Sequence, residues 1–395
     1  MINDPIVIVS SARTAMGSLQ GVLAPLSASE LGAAAIKASV DRSGIDTDLV
    51  GEVIMGNVLS AGQGQAPARQ AALGAYLPLS TTCSTINKMC GSGMKAAMLA
   101  HDSLVANSNH VMIAGGMESM SNAPYLLPKV RDGLRMGHGE VIDHMFFDGL
   151  EDAYDKGKLM GVFAESCADK YTFTREQQDS FAIRSLNRAI AASEAGYFDE
   201  EIIPVAIATR KGETVVSQDE SPLNARIDKI PQLRPAFRQD GTVTAANASS
   251  ISDGAAALLM MRESKAKALG LTPQARILGH ASHSHEPQWF TTAPVGAMKK
   301  LLQTLNWQAS DVDLFEINEA FAVVTMAAIE ELSLDVSKVN IHGGACAMGH
   351  PIGASGARIL VTLINALKTK GESKGIAALC IGGGEATAMA IELVN

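Results

Sequence analysis

The feature that most restricts this chain is an order of parts that occurs twice. In the first half, Cys90-Gly-Ser-Gly93 opens a helical stretch through Met94-Lys-Ala-Ala-Met-Leu99, and a strand then ends at Ala114-Gly-Gly-Met117. In the second half, Gly353-Ala-Ser-Gly356 opens a helical stretch through Ala357-Arg-Ile-Leu-Val361, and the strand Ile376-Ala-Ala-Leu-Cys-Ile381 runs into Gly382-Gly-Gly384. Glycine-rich turn, helix, strand and glycines in the same order predict two similar α/β halves. Elsewhere, Ile6–Ser10 reads as a buried strand, Ala28–Ser43 as an amphipathic helix, and Val53–Met55 and Val111–Ala114 as short strands closed by glycine.

The middle of the chain differs. From about Asn122 to Asp240 charge is denser, prolines recur and buried-strand runs are few. One helix is clear there: Thr174-Arg-Glu-Gln177 is a capping box, and the helix runs through Phe181, Leu186 and Ile190 to stop at Gly196. This stretch reads as an inserted loop domain over a site, with regular structure resuming near Thr242–Ser249.

Composition excludes several classes. With 47% apolar and 18% charged residues over 395 positions, the chain can bury large cores in two or three domains and is not globally disordered. A net charge of −9 argues against nucleic acid as the main partner. The N-terminus has neither the basic region of a signal peptide nor the arginines of a transit peptide, and no apolar run reaches the ~18–20 residues of a membrane span. A soluble, cytoplasmic protein is expected. The five cysteines, Cys83, Cys90, Cys167, Cys346 and Cys380, are irregularly spaced without a C-x-x-C pair, so no metal site is expected from them. No G-x-x-x-x-G-K-[ST] motif occurs, and Ile113-Ala-Gly-Gly-Met-Glu-Ser119 lacks G-x-G-x-x-G spacing, which excludes P-loop and Rossmann dinucleotide readings.

Four segments are candidates for chemistry. Cys90 lies in Asn87-Lys-Met-Cys90-Gly-Ser-Gly-Met-Lys95 at a turn opening a helix, where free N–H groups and the helix dipole favour a thiolate; it also fits a buried cysteine before a helix. His350 shares a loop with five glycines and Pro351 between Asn340 and Gly356. Such a loop is costly to order, and a histidine there can deprotonate a cysteine; the plainer reading is a turn histidine bonded to backbone. His342 in the same loop reads as structural. Cys380 ends a strand beside Gly382-Gly-Gly384, whose N–H groups can hold an oxyanion, or it is a buried strand cysteine. Asn318, in Phe315-Glu-Ile-Asn318-Glu-Ala-Phe321, can orient a water or cap a helix.

Taken together, the chain resembles the thiolase family. The resemblance is carried by Ser11-Ala-Arg-Thr14, Gly56-Asn-Val-Leu59, Gly62-Gln-Gly-Gln65, Pro67-Ala-Arg-Gln70 and Cys90-Gly-Ser-Gly93, then by Gly115-Gly-Met-Glu-Ser119, Asn318-Glu-Ala-Phe321, Gly349-His-Pro-Ile-Gly353 and Cys380-Ile-Gly-Gly-Gly384. Each motif is weak; the set, in family order over almost the whole chain, is specific. It implies two duplicated α/β halves forming a five-layered αβαβα core, with residues 1–121 and 250–270 as the first half, 122–249 as a loop domain over the site and 271–395 as the second half.

The resemblance further implies an enzyme that reversibly condenses two acetyl-CoA to acetoacetyl-CoA plus CoA, by a ping-pong reaction through acyl-Cys90. His350 would activate Cys90, and Cys380 would move the α-carbon proton. Asn318 would hold a water that forms one oxyanion hole with His350, and the N–H groups of Cys90 and Gly382 would form the other. Claisen chemistry passes through an enolate and a tetrahedral adduct, so two donor sites are needed. Ser249, Ala245, Phe237, Phe321, Leu150 and Met160 would line the pantetheine channel. Coenzyme A enters as substrate and product, with no cofactor and no metal, and the family implies a homotetramer built as a dimer of dimers.

Gly149-Leu-Glu-Asp-Ala153 and Leu159-Met-Gly161 are similar to short-chain members, although Leu159 stands where many have histidine. Phe290-Thr-Thr-Ala-Pro294 replaces the usual Met-Gly-Thr-Gly-Pro, and Phe290 is similar to the mitochondrial type that accepts a 2-methyl branch. His342 replaces an Asn, Glu385 follows the last glycines, and Arg226 is the candidate for a basic residue near the adenine. Alternatives are a broader 3-ketoacyl-CoA thiolase of β-oxidation, a ketoacyl-synthase-type condensing enzyme, which lacks the second cysteine, and a non-enzymatic acyl-CoA-binding subunit, which would lack nucleophile or base.

Overall fold

A computed structural model describes residues 4–209 and 212–394. Period-two alternation is what builds its layers. Nine strands form the body of the sheet: β1 (Ile6–Thr14), β2 (Glu52–Gly56), β3 (Thr82–Ile86), β4 (Val111–Ser119), β5 (Ser252–Arg262), β6 (Ala275–Ser284), β7 (Leu314–Ile317), β8 (Lys374–Ile381) and β9 (Glu385–Leu393). Val7, Ile113 and Leu259 face one apolar layer with helices α1 (Ala28–Ser43) and α2 (Pro67–Gly74). Their neighbours Ile8, Met112 and Leu258 face a second, shared with helix α3 (Ser92–Val105).

The second half repeats the device. Leu379, Met389 and Ile391 face that same central layer, while Ile376, Ala388 and Ala390 face an outer one with α6 (Ala293–Leu305) and α7 (Ala322–Leu332). Helix α8 (Ser355–Lys370) lies beside α3 in the centre. The result is αβαβα: an outer helical pair, a half-sheet, the buried α3–α8 pair, a second half-sheet, and the other outer pair. Strands buried on both faces account for the apolar fraction of the sequence.

The duplication is visible in the strand order β7-β8-β9-β6-β1-β5-β4-β2-β3. In each half a parallel pair (β2 with β4, β7 with β8) is followed by two antiparallel steps, ending on β1 or β6. The halves meet where β1 pairs with β6 at Val7–Arg276 and Ile8–Ala275. Where β8 turns into β9 through Gly382–Gly384, the first half instead inserts residues 120–251 between β4 and β5. That insertion carries α4 (Met160–Tyr171) and α5 (Arg175–Glu194), the latter opened by the Thr174–Gln177 capping box.

Two expectations change. Gly115 and Gly116 do not end a strand but lie inside β4, because backbone passes too close for a side chain: a Cβ on Gly116 would collide with the Gly353 carbonyl. Residues 242–249 are not regular structure. Asn247 accepts the Thr244 N–H at 2.8 Å and donates to the Thr242 carbonyl at 3.0 Å, so its amide replaces a strand ladder, and β5 begins at Ser252.

The central helices touch through backbone. A Cβ on Gly93 would lie 2.7 Å from the Ala357 nitrogen, and one on Gly356 would collide with the Met94 nitrogen. Neither obstacle can rotate away. Gly356→Ala is therefore expected to lower the unfolding free energy by about 3 kcal/mol in urea denaturation. Gly279→Ala, whose Cβ would meet Leu305 at an ordinary 3.4 Å, is expected to be near neutral.

Candidate active site

Cys90 sits between β3 and α3, at a turn built by local polar bonds. Asn87 Oδ1 accepts the Met89 N–H at 2.9 Å, Ser92 Oγ accepts the Lys88 N–H at 2.8 Å, and Met89 takes a left-handed φ of 46°. Gly91 lets the turn press against Ile381 at the end of β8. The backbone N–H groups of Gly382 and of Cys90 itself favour the thiolate. Even so, burial pushes the thiol up to about 11, and the nearby Glu118 carboxylate acts in the same direction. The expected lowering by a helix N-terminus is therefore reversed: the apolar wall of Val58, Leu59, Met145 and Ile352 outweighs the dipole.

His350 is buried, and its backbone N–H donates to the Ser250 carbonyl at 3.0 Å. Its ring bonds a hydroxyl, not backbone: Nδ1 lies 2.5 Å from Ser355 Oγ, which donates its single proton to the Pro351 carbonyl at 3.0 Å. Ser355 must then accept from His350, which puts the ring proton on Nδ1 and leaves the Nε2 lone pair bare. Nε2 has no hydrogen-bond partner. Burial, helped by Arg358, holds the imidazole down to about 3, so it rests neutral.

Cys380 is wholly buried among Phe163, Phe290 and Phe321, and both burial and the neighbouring Cys90 hold its thiol well above the usual range. Asn318 follows β7, its N–H donating to the Ala378 carbonyl at 2.9 Å. Arg358 Nη2 donates to its Oδ1 at 3.4 Å, while its buried Nδ2 donor has no partner. It caps no helix, since α7 begins at Ala322. His342 also has no ring hydrogen bond, and packs on Tyr197 and Phe198.

The other expected residues fall into three groups. Phe237, Phe290 and Phe321 meet edge to face, with centroids 6.0 and 6.3 Å apart, beside Cys380. Gly161 admits the Phe237 ring, and Met160 Sδ lies 3.5 Å from where a Cβ on Gly382 would stand. Leu150 packs in the Cys90 cluster. Ser249 donates its N–H to the Ala320 carbonyl at 2.9 Å. Ala245 lines a cavity of about 290 Å³ together with Ser250, Cys346, Arg226 and Lys229.

Several supporting residues escaped the motif reading. Glu118 accepts Asn57 Nδ2 and the N–H groups of Val58, Leu59 and Gly353 at 2.8–3.1 Å, binding the Cys90 side to the His350 loop. Glu319 accepts Ser185 of α5, Asn340 and the Cys346 N–H, fastening the insertion to the second half. A carboxylate inside an otherwise apolar motif was the available signal for both, Glu118 in Gly115-Gly-Met-Glu-Ser119 and Glu319 in Phe315-Glu-Ile-Asn-Glu-Ala-Phe321. Ser355 stands in the Gly353-Ala-Ser-Gly356 turn close to His350 in sequence, but nothing in the motif shows that its hydroxyl meets the imidazole.

The family patterns "Thiolase, N-terminal domain" and "Thiolase, C-terminal domain" match residues 6–264 and 271–393. The chain belongs to the thiolase family. It is 51% identical to the acetyl-CoA acetyltransferase of Cupriavidus necator, over 98% of this chain and 99% of that one. It is 50% identical to acetyl-CoA acetyltransferase 2 of Arabidopsis thaliana, over 98% and 97%. The crystal structure of Acat5 thiolase from Ascaris suum in complex with coenzyme A is similar with a TM-score of 0.93 and 41% identity, covering 99% of this chain and all of that one.

A neutral thiol and a neutral imidazole make a defined pH signature. Iodoacetamide alkylation of Cys90 is expected to climb about tenfold per pH unit from pH 7 to 9 without levelling off, since the thiol titrates near 11. A plateau below pH 8 would mean a preformed thiolate–imidazolium pair. Ser355→Ala removes the acceptor that sets the His350 tautomer; kcat is expected to drop about 10–100-fold with KM little changed.

Proposed function

We propose that this protein is an acetyl-CoA acetyltransferase, interconverting two acetyl-CoA with acetoacetyl-CoA and CoA through an acetyl-Cys90 intermediate. The observation that carries the reading is the set of unsatisfied polar groups and buried thiols at the junction of the halves. These are a bare His350 Nε2, an unpartnered Asn318 Nδ2, and the adjacent thiols of Cys90 and Cys380.

In the thiolysis direction, His350 Nε2 takes the Cys90 proton and the thiolate attacks the 3-keto carbonyl. The N–H groups of Cys90 and Gly382, which already favour a negative charge at Cys90, receive the oxygen charge of the adduct. The C–C bond then breaks, leaving acetyl-Cys90 and the enolate of acetyl-CoA. The Asn318 amide, through a water, and the protonated His350 stabilise the enolate oxygen. Cys380, held as a thiol by burial, gives its proton to the α-carbon and recovers one from His350. In the second half-reaction His350 takes the proton of incoming CoA, whose thiolate attacks acetyl-Cys90. The departing Cys90 sulfur then takes that proton back. Condensation is the same path reversed.

The cavity at Ala245 and Ser250 suits the pantetheine arm, and Arg226 with Lys229 on its wall suits the phosphates of CoA. Ser249, Phe237, Phe321, Leu150 and Met160 are assigned to the same arm. Residues 122–249 act as a loop domain over the site. Phe290, packed on Phe321, would face the acyl group. No helix among the described residues is long and apolar enough to cross a membrane; a cytoplasmic homotetramer remains part of the proposal.

Thiolysis rates with acetoacetyl-CoA, 2-methylacetoacetyl-CoA and a ten-carbon 3-ketoacyl-CoA test this. Activity confined to the two short substrates is the expected result. Comparable turnover of the long chain would make the protein a β-oxidation thiolase instead. Cys90→Ser is expected to lose at least about a thousandfold in kcat. Cys380→Ser should still acetylate Cys90 from acetyl-CoA, yet fail to exchange the α-protons of acetyl-CoA with solvent.

A further inference from the structure

We propose that His101, Asp102 and His280 form a binding site for one divalent transition-metal ion, separate from the acyl-transfer site. His101 Nδ1 lies 3.2 Å from His280 Nε2, and Asp102 Oδ1 lies 3.1 Å from the first and 3.0 Å from the second. Three polar atoms in so regular a triangle cannot all be hydrogen-bonded to one another. If both nitrogens donate to Asp102, their own contact sets donor against donor. If His280 donates to His101 instead, the His101 lone pair already used faces the carboxylate oxygen. Every neutral arrangement leaves one repulsive edge.

A cation removes the conflict. Around an ion with bonds of about 2.1 Å, neighbouring ligand atoms of a tetrahedral or octahedral shell stand about 3.0–3.4 Å apart. The observed triangle is therefore one face of such a shell, with the ion about 1 Å above it. Two imidazoles and one carboxylate, with further positions open to water, suit zinc, cobalt(II) or iron(II).

The surroundings agree. The histidine side chains are 11% and 16% exposed, whereas Asp102 is 57% exposed, so the ion would be reached from the Asp102 side with two shielded nitrogens beneath it. His101 and Asp102 belong to the last turns of α3, and His280 to β6. The ion would clamp together elements from the two duplicated halves. It would sit about 15 Å of helix rise from the Cys90 end of α3, too far to touch substrate sulfur.

The test uses chelator-stripped, full-length protein titrated with Co²⁺, read by visible absorption and by metal analysis after equilibrium dialysis. One equivalent should bind without a sulfur-to-cobalt charge-transfer band. His280→Ala and Asp102→Asn should each weaken binding at least about tenfold, and Co²⁺ should raise the melting temperature of the unmodified protein only. Thiolysis by both variants should match the unmodified protein. Asp102 is exposed, so Asp102→Asn decides the matter if His280→Ala does not fold. Binding unchanged in Asp102→Asn, no binding at about 100 μM Co²⁺, or a signal arising only from sulfur ligation would each overturn the proposal.

Discussion

The close approach of two glycine-rich turns is the contact on which this molecule depends. Gly93 and Gly356 bring the N-terminal ends of α3 and α8 together backbone to backbone, and Gly116 lets β4 meet the Gly353 carbonyl. Cys90 stands just before one helix and His350 just before the other. A single methyl group at the contact would separate the halves that carry them. Glu118 completes the joint by gathering donors from both sides into one buried carboxylate, whose burial pushes it up to about 7 despite those donors.

The second governing property is dryness. The reacting groups lie against apolar walls; desolvation outweighs the local N–H groups at Cys90 and acts together with Arg358 at His350. The site therefore rests as neutral thiol and neutral base, and charge appears only when substrate arrives with an oxygen for the donors to hold. Buried charges away from the reacting groups include ion pairs, as where Arg13 bonds Glu201 and Asp219.

Much of this architecture was legible beforehand. The repeated turn–helix–strand order foretold two equivalent half-sheets, because apolar alternation and glycine spacing are local properties. The α5 capping box was equally readable, since its bonds join residues three apart. Cys90, His350, Cys380 and Asn318 could be singled out by their motifs. Motifs could not give the thiol's protonation: a helix N-terminus argued for a lowered value, whereas the walls from distant segments, Val58, Met145 and Ile352, set a raised one. Nor could they show that Gly115 and Gly116 lie within a strand, because the carbonyls that exclude a side chain belong to residues far along the chain.

The sequence alone thus determined the duplicated α/β plan, the thiolase resemblance and the identities of the candidate reacting side chains, all written in short-range patterns. The tertiary structure decided what those side chains are in chemical terms. Ser355 bonds His350 and directs its free lone pair, Arg358 reaches Asn318 from across the central layer, and His101 and Asp102 meet His280 from the opposite half. Proton affinity and ligand geometry depend on distances of a few ångströms between segments remote in sequence, and the tautomer on how a single turn brings Ser355 back to His350; only the folded chain fixes those distances.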